Sequence, residues 1–169
     1  MSELLLNKDL ISRSVRDAAL DCLAAGARKV RRPSKTSGFV EFDEVYLSIG
    51  VQHAQWKADD TFTFCVNFGA LPKRMFYPHW TGFERKYPTV LDSVYQSRLH
   101  PEFGCGEFWW DISEPREFDQ AIRQVAMACE QIRTKIYPRV ASLEGCVKAF
   151  NIPGPAWRAK LDQWLKNHA

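Results

Sequence analysis

From about residue 7 to residue 25 the apolar side chains Ile11, Val15, Ala18, Ala19, Cys22 and Leu23 recur three and four positions apart. A helix places that spacing on one face, and Gly26 stands where a helix ends most readily, so the segment predicts an amphipathic helix. A basic stretch broken by Pro33 and Gly38 follows, and residues 39–42 are a short strand candidate. The period then becomes two. Val45, Leu47, Ile49 and Val51 alternate with polar or small residues, and Phe62, Phe64, Val66 and Phe68 alternate with Thr61, Thr63, Cys65 and Asn67. Each alternation predicts a strand with one buried face, and the short polar Lys57-Ala58-Asp59-Asp60 between them predicts a hairpin.

The pattern is lost from about 70 to 104, where Pro72, Pro78, Pro88 and Pro101 are interleaved with Phe76, Tyr77, Trp80, Phe83 and Tyr87. This reads as a long aromatic and proline-rich loop, with room for one or two helical turns around 89–99. Residues 107–112 (EFWWDI) are a further strand candidate. Ser113 then offers an N-cap and Pro115 a first-turn residue to a helix carrying Phe118, Ile122, Val125, Cys129, Ile132 and Ile136 on one stripe, which Pro138 ends or kinks. A shorter helix over 139–150, a turn at 151–155 and a closing helix at about 156–167, with Trp157, Leu161, Trp164 and Leu165 on one side, complete the chain. The elements predict a single α+β domain over 1–169. Its antiparallel sheet of about four strands packs on one face against the N-terminal helix and the C-terminal helices.

Composition narrows the class. A chain of 169 residues with 46% hydrophobic and 25% charged residues is ordinary for one globular domain. The leader MSELLLNKDL is too short in its apolar run and too charged for a signal peptide, and no stretch reaches a membrane span, so a cytoplasmic protein is expected. Cys22, Cys65, Cys105, Cys129 and Cys146 stand singly, an odd set that fits a reducing compartment better than a disulfide framework or a zinc ribbon.

Several landmarks stand together in order. They are a helix closing at Gly26, a basic stretch, Phe39, Gln52 near the end of an alternating strand, Asn67-Phe68-Gly69 at a strand end, Arg98-Leu99, and Trp109-Trp110-Asp111-Ile112 before a long helix. In that order the chain resembles a bacterial family, domain of unknown function 4304, over about 7–150. It departs from the family pattern at Gly26-Ala27-Arg28-Lys29, where Gly-Phe precedes the basic residues, and at Tyr95-Gln96, where the pattern is closer to Cys-His. The family has no established reaction. Some members resemble small proteins encoded beside secreted toxins, which implies an immunity role by analogy. Among polar residues the resemblance singles out Gln52 and Arg98.

Candidate chemistry is sparse. Cys105 between two glycines, with His100 nearby, lacks the local signature of a nucleophile. His53, His79 and His100 show no metal-ligand spacing, and no nucleotide-binding loop is present, so no metal and no cofactor are expected. The acidic pairs Asp43-Glu44, Asp59-Asp60 and Glu114 with Glu117 fall at turns or helix starts, where acids are favoured without catalysis. No catalytic residue is assigned, and an enzyme of unrecognised type remains an alternative. Arg28, Lys29, Arg31, Arg32 and Lys35 could bind nucleic acid, or could simply charge a first strand that guards a sheet edge. Trp109 and Trp110 must point to opposite faces of a strand, with Asp111 beside Trp109. One tryptophan then belongs to the core, and the other marks a binding face unless a C-terminal helix covers it with Trp157 and Trp164. The expected partner face comprises Gln52, Trp80, Phe83, Tyr87, Arg98, Trp109 and Trp110, and the expected partner is a protein, with a cognate toxin as one form.

Overall fold

The computed structural model describes residues 7–54, 61–102 and 106–168. The expected hairpin at 57–60, Cys105 and residues 1–6 lie outside them. Helix α1 (Lys8–Leu23) begins where the side chain of Asn7 accepts a hydrogen bond from Leu10 N at 3.0 Å. It stops before Gly26, whose φ of 78° is a conformation glycine adopts without strain. Among the described residues a six-stranded, wholly antiparallel sheet follows: β1 (Lys29–Arg31), β2 (Ser37–Glu41), β3 (Val45–His53), β4 (Phe62–Pro72), β5 (Tyr95–Arg98) and β6 (Trp110–Ile112). The first four strands form a meander. β5 and β6 then share the outer edge of β4, β6 pairing with Phe62–Phe64 and β5 with Asn67–Ala70. The fold is α+β, with two strands more than the pattern suggested. Both extra strands are short and polar, and each exists because a longer neighbour offers its unpaired backbone.

Register divides the sheet into two unlike faces. Cross-strand pairs Leu47–Ala70, Ile49–Phe68, Val51–Val66 and Phe64–Trp110 put their side chains on one face, which is buried. Helix α1 and helix α3 (Pro115–Gln131) cover it and pack on each other. Their approach is close: a Cβ added at Gly38 would lie 2.5 Å from Leu20 Cδ1. The α3 N-cap is Glu114 rather than Ser113. Glu117 Oε2 accepts from Glu114 N at 3.0 Å and Ser113 N at 2.6 Å, closing a capping box that a serine one residue earlier would not complete. Nor does Pro138 end the helix outright. Residues Ile132–Ile136 wind as a π-helical turn before α4 (Tyr137–Val140), a slip of register that accommodates the missing proline N–H. Helix α5 (Leu143–Lys148) and α6 (Pro155–His168) follow.

The segment after β4 is more ordered than expected. It holds α2 (Lys73–Phe76), a 3-10 turn at Val90–Asp92 and β5 itself, so residues 95–98 are strand rather than helical turn. The strand end expected at Gly69 is likewise mid-strand, β4 continuing to Pro72. Buried Asp92 accepts from Arg85 Nε at 2.6 Å, Thr89 N at 2.9 Å and Thr89 Oγ1 at 2.8 Å. Its backbone carbonyl takes Trp80 Nε1 at 2.6 Å. Trp80 is therefore a core residue, 5% exposed, with Phe150 and Trp157 against its ring. Helix α6 closes over this loop rather than over Trp109, Trp164 Nε1 reaching Pro78 O at 3.4 Å. The free edge of β5 is blocked by Asn151, whose side-chain amide bonds both Gln96 N (2.8 Å) and Gln96 O (2.6 Å) as a neighbouring strand would.

A half-buried histidine gives a pH dependence. His53 Nε2 lies 3.0 Å from Ser12 Oγ, whose own proton goes to Lys8 O, so the ring donates through Nε2. Nδ1 is buried with no partner, and Phe62 packs edge-on. Burial foremost, and then the charge of Lys8, push this imidazole below its ordinary 6.5. The unfolded chain therefore binds the extra proton first, and stability falls as pH drops through 6.5. Melting temperature is expected to decline between about pH 7.5 and 5.5, and less steeply in His53→Phe; parallel slopes would exclude this origin.

A cleft on the open sheet face

The second face of the sheet carries Phe39, Tyr46 and Leu71 toward one end and the small or polar Gly50, Gln52 and Asn67 toward the other, where Gln52 is exposed. Over Gly69 the segment Thr89–Ser93 lies directly on the strand: a Cβ there would meet Ser93 Oγ at 2.3 Å and Val90 Cα at 3.1 Å. Beyond Gly69 the segment lifts away, leaving a cleft of about 580 Å³ between Val90, Leu91 and the strands. Its floor is Gly50, Gln52, Asn67 and Arg98, brought together by the pairings Gly50–Asn67 and Asn67–Arg98. Leu91 stands at the rim, 70% exposed.

The floor side chains form a directed chain of hydrogen bonds. Arg98 Nε donates to Asn67 Oδ1 at 3.1 Å, and Asn67 Nδ2 donates to Gln52 Oε1, also at 3.1 Å. A guanidinium can only donate, so the asparagine oxygen must face it, and the orientation of both amides follows. The Cys65 thiol adds a weak bond to Gln52 Oε1 at 3.8 Å. Beyond Arg98, Glu107 forms an ion pair with the guanidinium and accepts from Trp109 Nε1, while the Trp109 ring lies 5.5 Å from the guanidinium carbon. Burial pushes the Cys65 thiol up to about 11, so at neutral pH it is a protonated donor rather than a nucleophile.

The residues expected on a single face divide three ways. Gln52, Arg98 and Trp109 do meet on the open face. Trp80 and Trp110 do not belong to it: Trp110 is 4% exposed, stacked on Phe64 with ring centroids 5.4 Å apart, its Nε1 donating to Gln124 Oε1 of α3 at 2.9 Å. Both tryptophans are core because a strand alternation and a loop staple turn them inward. Phe83 is exposed elsewhere, beneath Lys160 Nζ of α6, and Tyr87 is half-buried in the same loop. Asn67, Gly50 and Leu91 were not among the expected site residues. Asn67 is legible as the polar member of the out-facing set of β4, whereas Leu91 carries no sequence signal.

The basic stretch is largely tied into the domain. Arg28 pairs with Asp43 at 2.5 Å, Arg32 with Asp17 at 2.9 Å and Asp21 at 3.1 Å, and Lys35 with Asp9 at 2.6 Å, while Lys29 and Arg31 lie on edge strand β1. A second hollow, of about 360 Å³, lies between β5 and the π-helical turn, with Ile132, Ile136 and His100 in its wall. Among the described residues, no helix is long and apolar enough to cross a membrane and no group of three or more histidine, cysteine or acidic side chains is placed to hold a metal.

These observations define a small α+β domain whose antiparallel sheet buries one face under helices and keeps a polar cleft on the other. The chain matches the family described as Domain of unknown function (DUF4304) over residues 35–142 and belongs to it. The match takes in the whole cleft with Glu107 and Trp109, and leaves out α1, β1, α5 and α6. Comparison with curated proteins and with solved structures gave no match.

Proposed function

We propose that the domain acts without catalysis, by docking a protein partner on the open end of its sheet, in the manner of a cytoplasmic immunity protein that covers the active site of a bacterial toxin. The observation that carries this reading is the cleft: Gln52, Asn67 and Arg98 are fixed by mutual hydrogen bonds beside the exposed Leu91. Pre-ordered polar groups next to an uncovered apolar side chain suit recognition, because little side-chain entropy is lost on binding. The protonated Cys65 thiol supports a non-catalytic role. So do the free cysteines Cys22, Cys65, Cys129 and Cys146 for a reducing compartment. The toxin partner itself rests on family analogy. A nucleic-acid role for Arg28, Lys29, Arg31, Arg32 and Lys35 has less support, since Arg28, Arg32 and Lys35 are already paired with acids and only Lys35 falls within the matched span.

The test is capture of the product of the adjacent gene by immobilised protein. Leu91→Asp and Trp109→Ala, both at accessible positions, are each expected to weaken binding about tenfold or more while stability falls by no more than about 1 kcal/mol. Undiminished capture by both variants would rule this face out.

A further inference from the structure

The hydrogen-bond chain on the cleft floor has a consequence for what can enter. Because Arg98 Nε fixes Asn67, and Asn67 fixes Gln52, the Gln52 carbonyl oxygen is turned inward, where it takes both the asparagine amide and the Cys65 thiol. Gln52 Nε2 is thereby turned out, and it has no hydrogen-bond partner among the described residues; neither has Arg98 Nη2. The floor presents N–H donors on both sides of Asn67. Arg98 is also the one charged side chain lining the cleft among the described residues, since Glu107 meets the guanidinium from outside it. Glu107 balances the guanidinium charge from the Nη1 side, so what the floor offers is N–H donors, Gln52 Nε2 and Arg98 Nη2, with no acceptor bonded to them among the described residues. Donors so placed suit an acceptor-only group such as a carboxylate. The opposite wall is Val90 and Leu91, so an apolar group must sit close to that carboxylate.

We infer that the cleft receives the C-terminal carboxylate of a protein partner together with the apolar side chain of its last residue. A chain end joins a carboxylate to an adjacent side chain on one carbon, which matches donors on the floor facing the apolar Val90 and Leu91. The continued exposure of Leu91 beyond the cleft favours a polypeptide that runs on over the rim rather than a free small acid. The inference rests on the docking of a partner at this face, and names what that partner inserts.

The full chain, isotope-labelled, is titrated with three probes: N-acetyl-Val-Leu as the free acid, the same dipeptide as its C-terminal amide, and N-acetyl-Val-Glu amide, which carries its carboxylate on a side chain. The free acid is expected to shift the backbone amides of Gln52, Asn67, Val90 and Arg98, and to bind about tenfold or more tightly than either amide. Arg98→Ala and Gln52→Leu are each expected to abolish that preference while the rest of the spectrum stays in place. Gln52 lies exposed on its strand, so it serves if Arg98→Ala perturbs folding. Equal binding of acid and amide, stronger binding of the glutamyl probe, or no shift at about 10 mM would overturn the inference. If partner capture still depended on Leu91 in that case, the docking face would stand and the carboxylate alone would fall. If the acid bound at the cleft while capture ignored Leu91, the docking reading would fall instead.

Discussion

Trp110→Ala is expected to lower the unfolding free energy by about 4 kcal/mol, the range for removing a buried tryptophan, and the melting temperature by roughly 10 °C. The indole is stacked on Phe64, faces Phe108 at 4.8 Å between ring centroids and bonds Gln124 of α3 at 2.9 Å. Its loss opens a cavity between β6 and α3, and strands the Gln124 carbonyl oxygen. Trp109→Ala, one residue away, is expected to cost about 1 kcal/mol or less, because its ring is half-exposed and its contact with Arg98 is a cation–π interaction at the surface. Thermal unfolding of the two variants side by side checks both values. Equal losses would mean that the alternation of β6 has been assigned to the wrong faces.

Gly69→Ala should damage both stability and binding. A methyl at this position would lie 2.6 Å from Ser93 Cβ and 3.1 Å from Val90 Cα, so the 89–93 segment must lift off the strand. Overpacking of this kind costs about 1–3 kcal/mol. Moving Val90 and Leu91 also opens the wall of the cleft, and binding of the partner or of N-acetyl-Val-Leu should weaken with it. Gly50→Ala is the control: its Cβ would meet only Val90 Cγ2, at an ordinary 3.9 Å, and stability should change by less than about 1 kcal/mol. Adding Ser93→Gly to Gly69→Ala should recover part of the loss, since the two sites share the clash. If Gly69→Ala melts like wild type, the close approach of segment and strand is not a constraint.

Much of the fold was legible along the chain. The stripes of α1 and α3 and the alternations of β3 and β4 announced their elements, because a buried face imposes its period directly on the sequence. β1 and β5 left no such trace. Their residues, Lys-Val-Arg and Tyr-Gln-Ser-Arg, are half-exposed or exposed, and they are strands only because β2 and β4 present open backbone edges. The tryptophans show the same limit. That Trp109 and Trp110 face opposite ways follows from strand geometry, but which one is inside depends on where α3 lies. Trp80 looked like loop aromatic surface, yet a staple from Asp92 and cover from Trp157 of α6 draw it into the core.

By itself the sequence determined the class of the domain, the inward faces of its long strands and helices, and two members of the cleft, Gln52 and Arg98, because local periodicity and a family pattern are written in neighbouring residues. Tertiary structure alone decided that Asn67 joins them, that Leu91 is left uncovered beside them, and that Trp80 and Trp110 are buried. Those outcomes depend on strand register and on how a segment twenty residues further along the chain lies across Gly69, and such long-range packing has no local periodicity to reveal it.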